Sequence, residues 1–212
     1  MGDTIPTGTP AGPKQARSKQ TREKIIQAAI QLFEELGYEK TTSNEIASAA
    51  GVSVGSFYVY FSDKRQVLLT IFDQLADDLF KNVFVNLRPE DLFDSELRPR
   101  IRQAVANAII DKQKHSGLHR VIWELVLKDA EFAARSKALT ERSIAKLHEI
   151  VSLANKAGLA WELDIDAAVF IVHRVVFDIS QDYVTGVIDF DSERAVNALS
   201  DMIYRYLFKP RE

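Results

Sequence analysis

The chain contains no cysteine, which removes disulfide frameworks, thiolate nucleophiles and Cys-ligated zinc or iron-sulfur sites together. Long apolar runs are missing too. No window approaches the roughly 18 consecutive apolar residues of a membrane span, and residues 1–13 have neither the basic block nor the apolar block of a secretion signal. A cytoplasmic protein with no membrane partner is the expectation. Period-two alternation is absent over any stretch long enough for a sheet. Catalytic signatures are absent as well, with no G-x-S-x-G, no P-loop, no dinucleotide fingerprint and no His-Glu-x-x-His. His115 and His119 stand four apart, but Gly117 between them breaks the continuous helical face that a metal would need. No catalytic residue, metal ligand or cofactor is assigned, and an enzyme is not expected.

What remains is ordinary globular material. Hydrophobic residues make up 46% and charged residues 27% of 212, and a chain of this size buries about 70% of its unfolded surface without needing a staple. Net charge is −3, which by itself argues against a nucleic-acid binder, but its distribution argues otherwise. Lys14, Arg17, Lys19, Arg22 and Lys24 are opposed locally only by Glu23, while residues 66–212 carry more acidic than basic side chains. A basic start on an acidic body is a separate electrostatic footprint.

Residues 1–17, opening with three of the six prolines and three threonines before residue 14, read as a disordered tail. From Ser18 the residues Ile25, Ala28, Ala29, Leu32, Phe33 and Leu36 recur at helical spacing until Gly37. Thr42 to Glu45 forms a capping box for a second helix that stops at Gly51. Ser53 can cap a third, Val54 to Tyr60, and Ser62 a fourth carrying Val67, Leu68, Ile71, Phe72 and Leu75. After a break at Pro89 and the acidic residues 90–96, helical periodicity returns over 97–114, 118–128, 131–156, 166–183 and 192–208. The expectation is an all-α protein of about nine helices, with a three-helix helix-turn-helix unit over 18–65 and a helical ligand-binding and dimerisation unit over 66–212.

Residues Thr42 to Phe61 have the physics of a helix-turn-helix. Ala47 and Ala50 are small where two helices cross closely, Gly51 permits a left-handed turn, and Val52 fills the space beneath it. The second helix of the pair places small residues at its N-terminal end, where they can enter a major groove about 12 Å wide. Thr42, Ile46, Ala47, Ala50, Gly51, Val52, Ser53, Gly55, Phe57, Tyr58, Tyr60, Phe61 and Lys64 fall at matching positions of the pattern T-x-x-x-I-A-x-x-A-G-V-S-x-G-x-[LF]-Y-x-[HY]-F-x-x-K. The stretch from Ser18 to about Leu69 therefore resembles the DNA-binding domain of TetR-type (tetracycline-repressor-like) transcriptional regulators.

The resemblance implies that Thr42, Tyr58, Tyr60 and Lys64 grip backbone phosphates of double-stranded DNA, while Ser53, Val54, Gly55 and Ser56 face base edges of a palindromic operator. Val54 stands where many relatives have Lys or Arg, and it can touch a thymine methyl but cannot hydrogen-bond guanine. Residues 166–183 are apolar nearly all round and must be covered on both sides. With the stripe Ala195, Leu199, Met202, Ile203, Tyr206 and Leu207 they suggest a homodimer, and the resemblance implies a four-helix bundle from the last two helices of each protomer. It further implies an apolar pocket for a small, apolar or aromatic effector, with Phe72, Phe84, His119, Trp123, Phe170, His173 and Phe177 as candidate contacts. Most such proteins are repressors released from DNA by their ligand; an activator, or a module without an effector, is the alternative.

Overall fold

The computed structural model describes residues 13–85, 87–93, 96–113 and 115–210. Among them are nine α-helices and one 3-10 helix: α1 (Pro13–Leu36), α2 (Ser43–Ala49), α3 (Val54–Tyr60), α4 (Lys64–Phe84), the 3-10 helix (Pro89–Phe93), α5 (Leu97–Gln113), α6 (Ser116–Lys128), α7 (Ala130–Lys156), α8 (Ile165–Thr185) and α9 (Ser192–Leu207). The all-α expectation holds for the described residues. The chain divides into two compact units, one ending at Leu68 and one beginning at Leu69. That division lies three residues past the expected 65/66 boundary, because the fully buried Val67 and Leu68 group with the first unit.

In the first unit, the fully buried Ile25, Ile26, Ala29, Phe33, Ile46, Ala47 and Phe57 form the core. Of the tail expected over 1–17, residues 1–12 lie outside the described residues, and 13–17 are helical instead. Pro13 sits at the first position of α1, where its missing amide costs nothing and its fixed φ suits the helix. Gly37 and Gly51 have φ of +80° and +67°, the left-handed conformation that ends α1 and turns the chain between α2 and α3. The Thr41 hydroxyl, fully buried, donates to the Gly37 carbonyl at 2.8 Å and fastens the α1–α2 turn. At the start of α4 the expected cap Ser62 is replaced by Asp63, whose carboxylate accepts from the Gln66 amide at 2.7 Å. Gln66 in turn accepts from the Ser62 amide at 2.6 Å. Ser and Asp cap about equally well; the path of the chain brings the Asp63 carboxylate to the first turn, where it also complements the helix dipole.

In the second unit, Ile109, Phe132, Ala154, Ala168 and Val196 anchor the core. α9 packs on α5 through Leu199, Ile203 and Leu207, and ion pairs Arg98–Asp201 and Arg102–Glu193 fence the seam. Two connections escape prediction from periodicity. The Lys209 amide donates to the Leu159 carbonyl and the Trp161 amide to the Leu207 carbonyl, so the chain after α9 pairs with the α7–α8 loop in a one-residue bridge, Ala160 to Phe208. The acidic break after Pro89 is also built rather than open. Asp91, 3% exposed, accepts from the Arg88 amide and guanidinium at 2.9 and 3.3 Å and pairs with Arg100 of α5.

The Arg88 amide hydrogen bond, followed by the Arg88 and Arg100 charges, holds the Asp91 carboxyl below the usual carboxylate range against the opposing effect of burial. A depressed folded-state pKa stabilises the fold above the unfolded value of about 3.9, and that stabilisation is lost as pH falls through the folded value. Asp91→Asn is therefore expected to lower the free energy of unfolding at pH 7, with the gap to wild type closing under acid below about pH 4. Urea unfolding followed by circular dichroism across that pH range checks this, and a gap independent of pH contradicts it.

Candidate nucleic-acid interface and effector cavity

α3 is seven residues long and owes its place to one anchor. Phe57 is fully buried and meets Phe61, itself 2% exposed, at 6.1 Å between ring centroids. At 100° per residue, burying Phe57 with Phe61 beside it turns Gly55, Tyr58 and Val59 away from the core, while Val54, three residues before Phe57 and on its side of the helix, is left open because it begins the first turn. Their exposure agrees: Val54 is 43%, Tyr58 54% and Val59 78% exposed. Ser53 caps the helix, its hydroxyl accepting from the Ser56 amide at 3.1 Å and lying 2.9 Å from the Ser56 hydroxyl. Ser56 is half-buried, so Ser53, Val54 and Gly55 are brought to the open end and Ser56 to its flank. Sequence reasoning missed Val59, the most exposed of these apolar side chains; the turn of the helix set by Phe57 was the available signal.

The expected phosphate contacts divide. Tyr58 is exposed, with its ring edge-on to Phe57 at 5.3 Å, and Tyr60 is half-buried. Thr42 is exposed, yet its amide and its hydroxyl both donate to the Glu45 carboxylate at 2.8 Å, and the hydroxyl accepts from the Glu45 amide. The capping box thus uses the one donor that its side chain could offer an anion. Lys64 has a partner within the protein as well. Its ammonium donates to the Tyr38 carbonyl at 2.7 Å and lies 4.3 Å from the centroid of the Tyr38 ring. It ties the start of α4 to the α1–α2 turn. Arg22, from the basic run of α1, stands 5.1 Å from the Phe61 ring and so keeps a cation beside the end of α3.

The candidate effector contacts fall into two cavities, both within the second unit. The larger, about 150 Å³, is lined by Phe84, His173 and Phe177 among many aliphatic side chains. The smaller, about 70 Å³, is lined by Phe72, His119, Trp123 and again Phe177. Phe170 lines neither and is 58% exposed. The near-complete apolarity of α8 hid which of its faces looks inward: Ala168, Val169 and Val172 are buried while Phe170 and Ile171 point to solvent. Among the described residues no group of His, Asp or Glu is placed to hold a metal, and no helix is long and apolar enough to cross a membrane.

A short α2, a left-handed glycine turn and a short α3 on a buried aromatic anchor are the arrangement of a helix-turn-helix. The model of the tetR family of bacterial regulatory proteins matches residues 25–71, which span all three features. Residues 25–71 thus carry a tetR-type helix-turn-helix domain. A relative described as the "Probable acrEF/envCD operon repressor" of Escherichia coli K12 is 24% identical over 203 residues, 93% of this chain and 90% of the relative. The transcriptional activator FasR of Mycolicibacterium smegmatis is 28% identical over 153 residues, 71% of this chain and 68% of its own. Among solved structures, SmeT in complex with triclosan shares the fold, with a TM-score of 0.72 at 19% identity, covering 89% of this chain and 92% of that one. Over nearly its whole length the chain is thus similar to tetR-family transcriptional regulators.

Lys64→Ala removes a charge-assisted hydrogen bond from a half-buried site and is expected to destabilise the protein by about 1–2 kcal/mol, whereas Tyr58→Ala should change stability little. Denaturant titration of both variants decides the matter, and an unmoved unfolding midpoint for Lys64→Ala removes its clamping role.

Proposed function

We propose that this regulator is a DNA-binding repressor that acts as a homodimer and leaves its operator when a small apolar molecule enters the second unit. The observation that carries the reading is the outward ridge of α3, Ser53, Val54, Gly55, Tyr58 and Val59, held on a buried Phe57 within a tetR-family helix-turn-helix. Ser53, Val54, Gly55 and Ser56 face the bases, with Val59 added from the structure. Tyr58 and Tyr60 meet phosphates, and Thr42 reaches one once its hydroxyl leaves Glu45. Lys64 supports the turn and reaches a phosphate only secondarily. Residues 53–61 carry no charged or amide side chain, so base reading rests on methyl contacts and hydroxyls, and affinity on cations elsewhere.

The repressor reading is supported by the E. coli relative, which spans nearly the whole chain and bears that role in its description. The apolar cavities support an effector, as does the triclosan bound by SmeT, a protein of the same fold. Pairing is supported by Phe170 and Ile171 of α8 and by Met202 and Tyr206 of α9, all large and exposed. A second copy of the chain covers them in this proposal, since an operator of two half-sites needs two α3 helices.

Selection of bound fragments from randomised DNA with the full-length protein tests the reading. Tyr58→Ala is expected to weaken binding to the selected sequence by roughly tenfold, and replacing thymine by uracil in the half-site, which deletes only the methyl, should weaken it without altering the salt dependence. Failure to select any sequence refutes the DNA-binding reading. For the pairing surface, wild type is expected to sediment as a dimer at micromolar concentration and Phe170→Asp as a monomer. A dimer unmoved by that substitution places the interface elsewhere.

A further inference from the structure

The two cavities share three lining side chains, Leu79 of α4, Leu139 of α7 and Phe177 of α8. Those three form the partition between them. Phe177 is braced from several sides: Trp123 meets its ring at 5.8 Å with an interplanar angle of 62°, His173 stacks on it at 6.1 Å and 15°, and the Arg174 guanidinium lies 5.5 Å from its centroid. A ring held in that way acts as a wall rather than a free rotor.

The chambers differ in chemistry. No Asp, Glu, Lys or Arg lines the larger one, whose polar side chains are Ser143, His173 and Ser180. The Ser180 hydroxyl already donates to the Phe177 carbonyl at 2.8 Å. The smaller chamber adds His119, Ser136 and Gln181 around Trp123. An ionised ligand head in the larger chamber would meet no Asp, Glu, Lys or Arg to offset its lost hydration.

Building on the effector reading above, we propose that the larger chamber takes an uncharged molecule with one extended apolar chain, and that Phe177, with Leu79 and Leu139, sets the greatest length of chain it accepts. A chain that reaches the partition gains nothing from further methylenes. Removing the partition joins the chambers, so longer chains are buried.

The test uses the full-length protein, calorimetric titration, and straight-chain 1-alkanols from butanol to tetradecanol beside carboxylates of matched length. For wild type the affinity is expected to rise about fourfold per methylene while the chain enters the apolar chamber, and then to level off at one length. Phe177→Ala should move that break to longer chains, and each carboxylate should bind roughly tenfold or more weakly than its alcohol. Leu139→Ala opens the same wall from α7 and should shift the break in the same direction; circular dichroism verifies that each variant folds. A break that stays put in both folded variants overturns the partition, and carboxylates that match the alcohols overturn the uncharged class. If neither variant folds, the alcohol-against-carboxylate comparison on wild type still decides the chemical class. Absence of binding by every probe to wild type removes the effector reading beneath the inference.

Discussion

The burial of Phe57 is the constraint on which the exposed ridge of α3 depends. Seven residues are too few for a helix to be stable by its own hydrogen bonds, since nucleation alone costs more than so short a segment returns. α3 exists because Phe57 contributes a full aromatic burial to a core already containing Phe33 and Ile46, an effect worth about 3–5 kcal/mol on truncation. The same burial fixes rotation. With Phe57 inward, Gly55, Tyr58 and Val59 are turned outward by helical geometry, Val54 is left open at the first turn, and the cap at Ser53 fixes where the helix begins. Position, register and orientation of the outward ridge thus descend from one side chain and one hydroxyl.

Much of this was legible in the chain. Apolar residues at three- and four-residue intervals, punctuated by Gly37, Gly51, Gly158 and Gly186, place the helices, and all four glycines take positive φ in the structure. Capping boxes are equally readable, because Thr42 and Glu45 need only each other. The misses share a cause, which is competition between neighbours that a pattern cannot rank. Ser62 and Asp63 are both good caps, and only the path of the chain selects the carboxylate. Lys64 matches a phosphate-binding position, and the pattern gives no hint that its ammonium also meets the Tyr38 carbonyl of the α1–α2 turn, brought there by folding over a separation of 26 residues. The bridge between Ala160 and Phe208 has no periodicity at all to betray it.

The second unit was less legible for a different reason. Periodicity identifies which side chains turn inward but not whether the space they enclose is filled. Phe132 and Phe177 have the same sequence signature, an aromatic on an apolar helical face. Phe132 packs edge-on to Phe72 and is wholly buried; Phe177 borders two voids. The difference is made by facing residues on α4, α6 and α7, whose combined volume falls short of the enclosed space. That sum depends on relative helix positions and is invisible to any one segment. Phe170 illustrates the converse, since a helix apolar on every side offers no local clue to which face is wet.

The charge pattern bears on how affinity and specificity divide in the proposed reading. A recognition surface without a charged side chain avoids dehydrating an ion at the bases, but it also forgoes the counterion release that drives most nucleic-acid association. Cations must then be supplied beside it. Arg17, Lys19 and Lys24 are exposed along α1, and Arg22 is held next to Phe61 at the end of α3, so the first unit carries a sequence-blind attraction on α1 and a sequence-reading but uncharged ridge on α3. Such a division makes discrimination rest on shape and methyl contacts that act only at close range. A small change in how far apart two ridges stand is then enough to lose recognition while leaving the general attraction to DNA, which is the balance a releasable repressor requires.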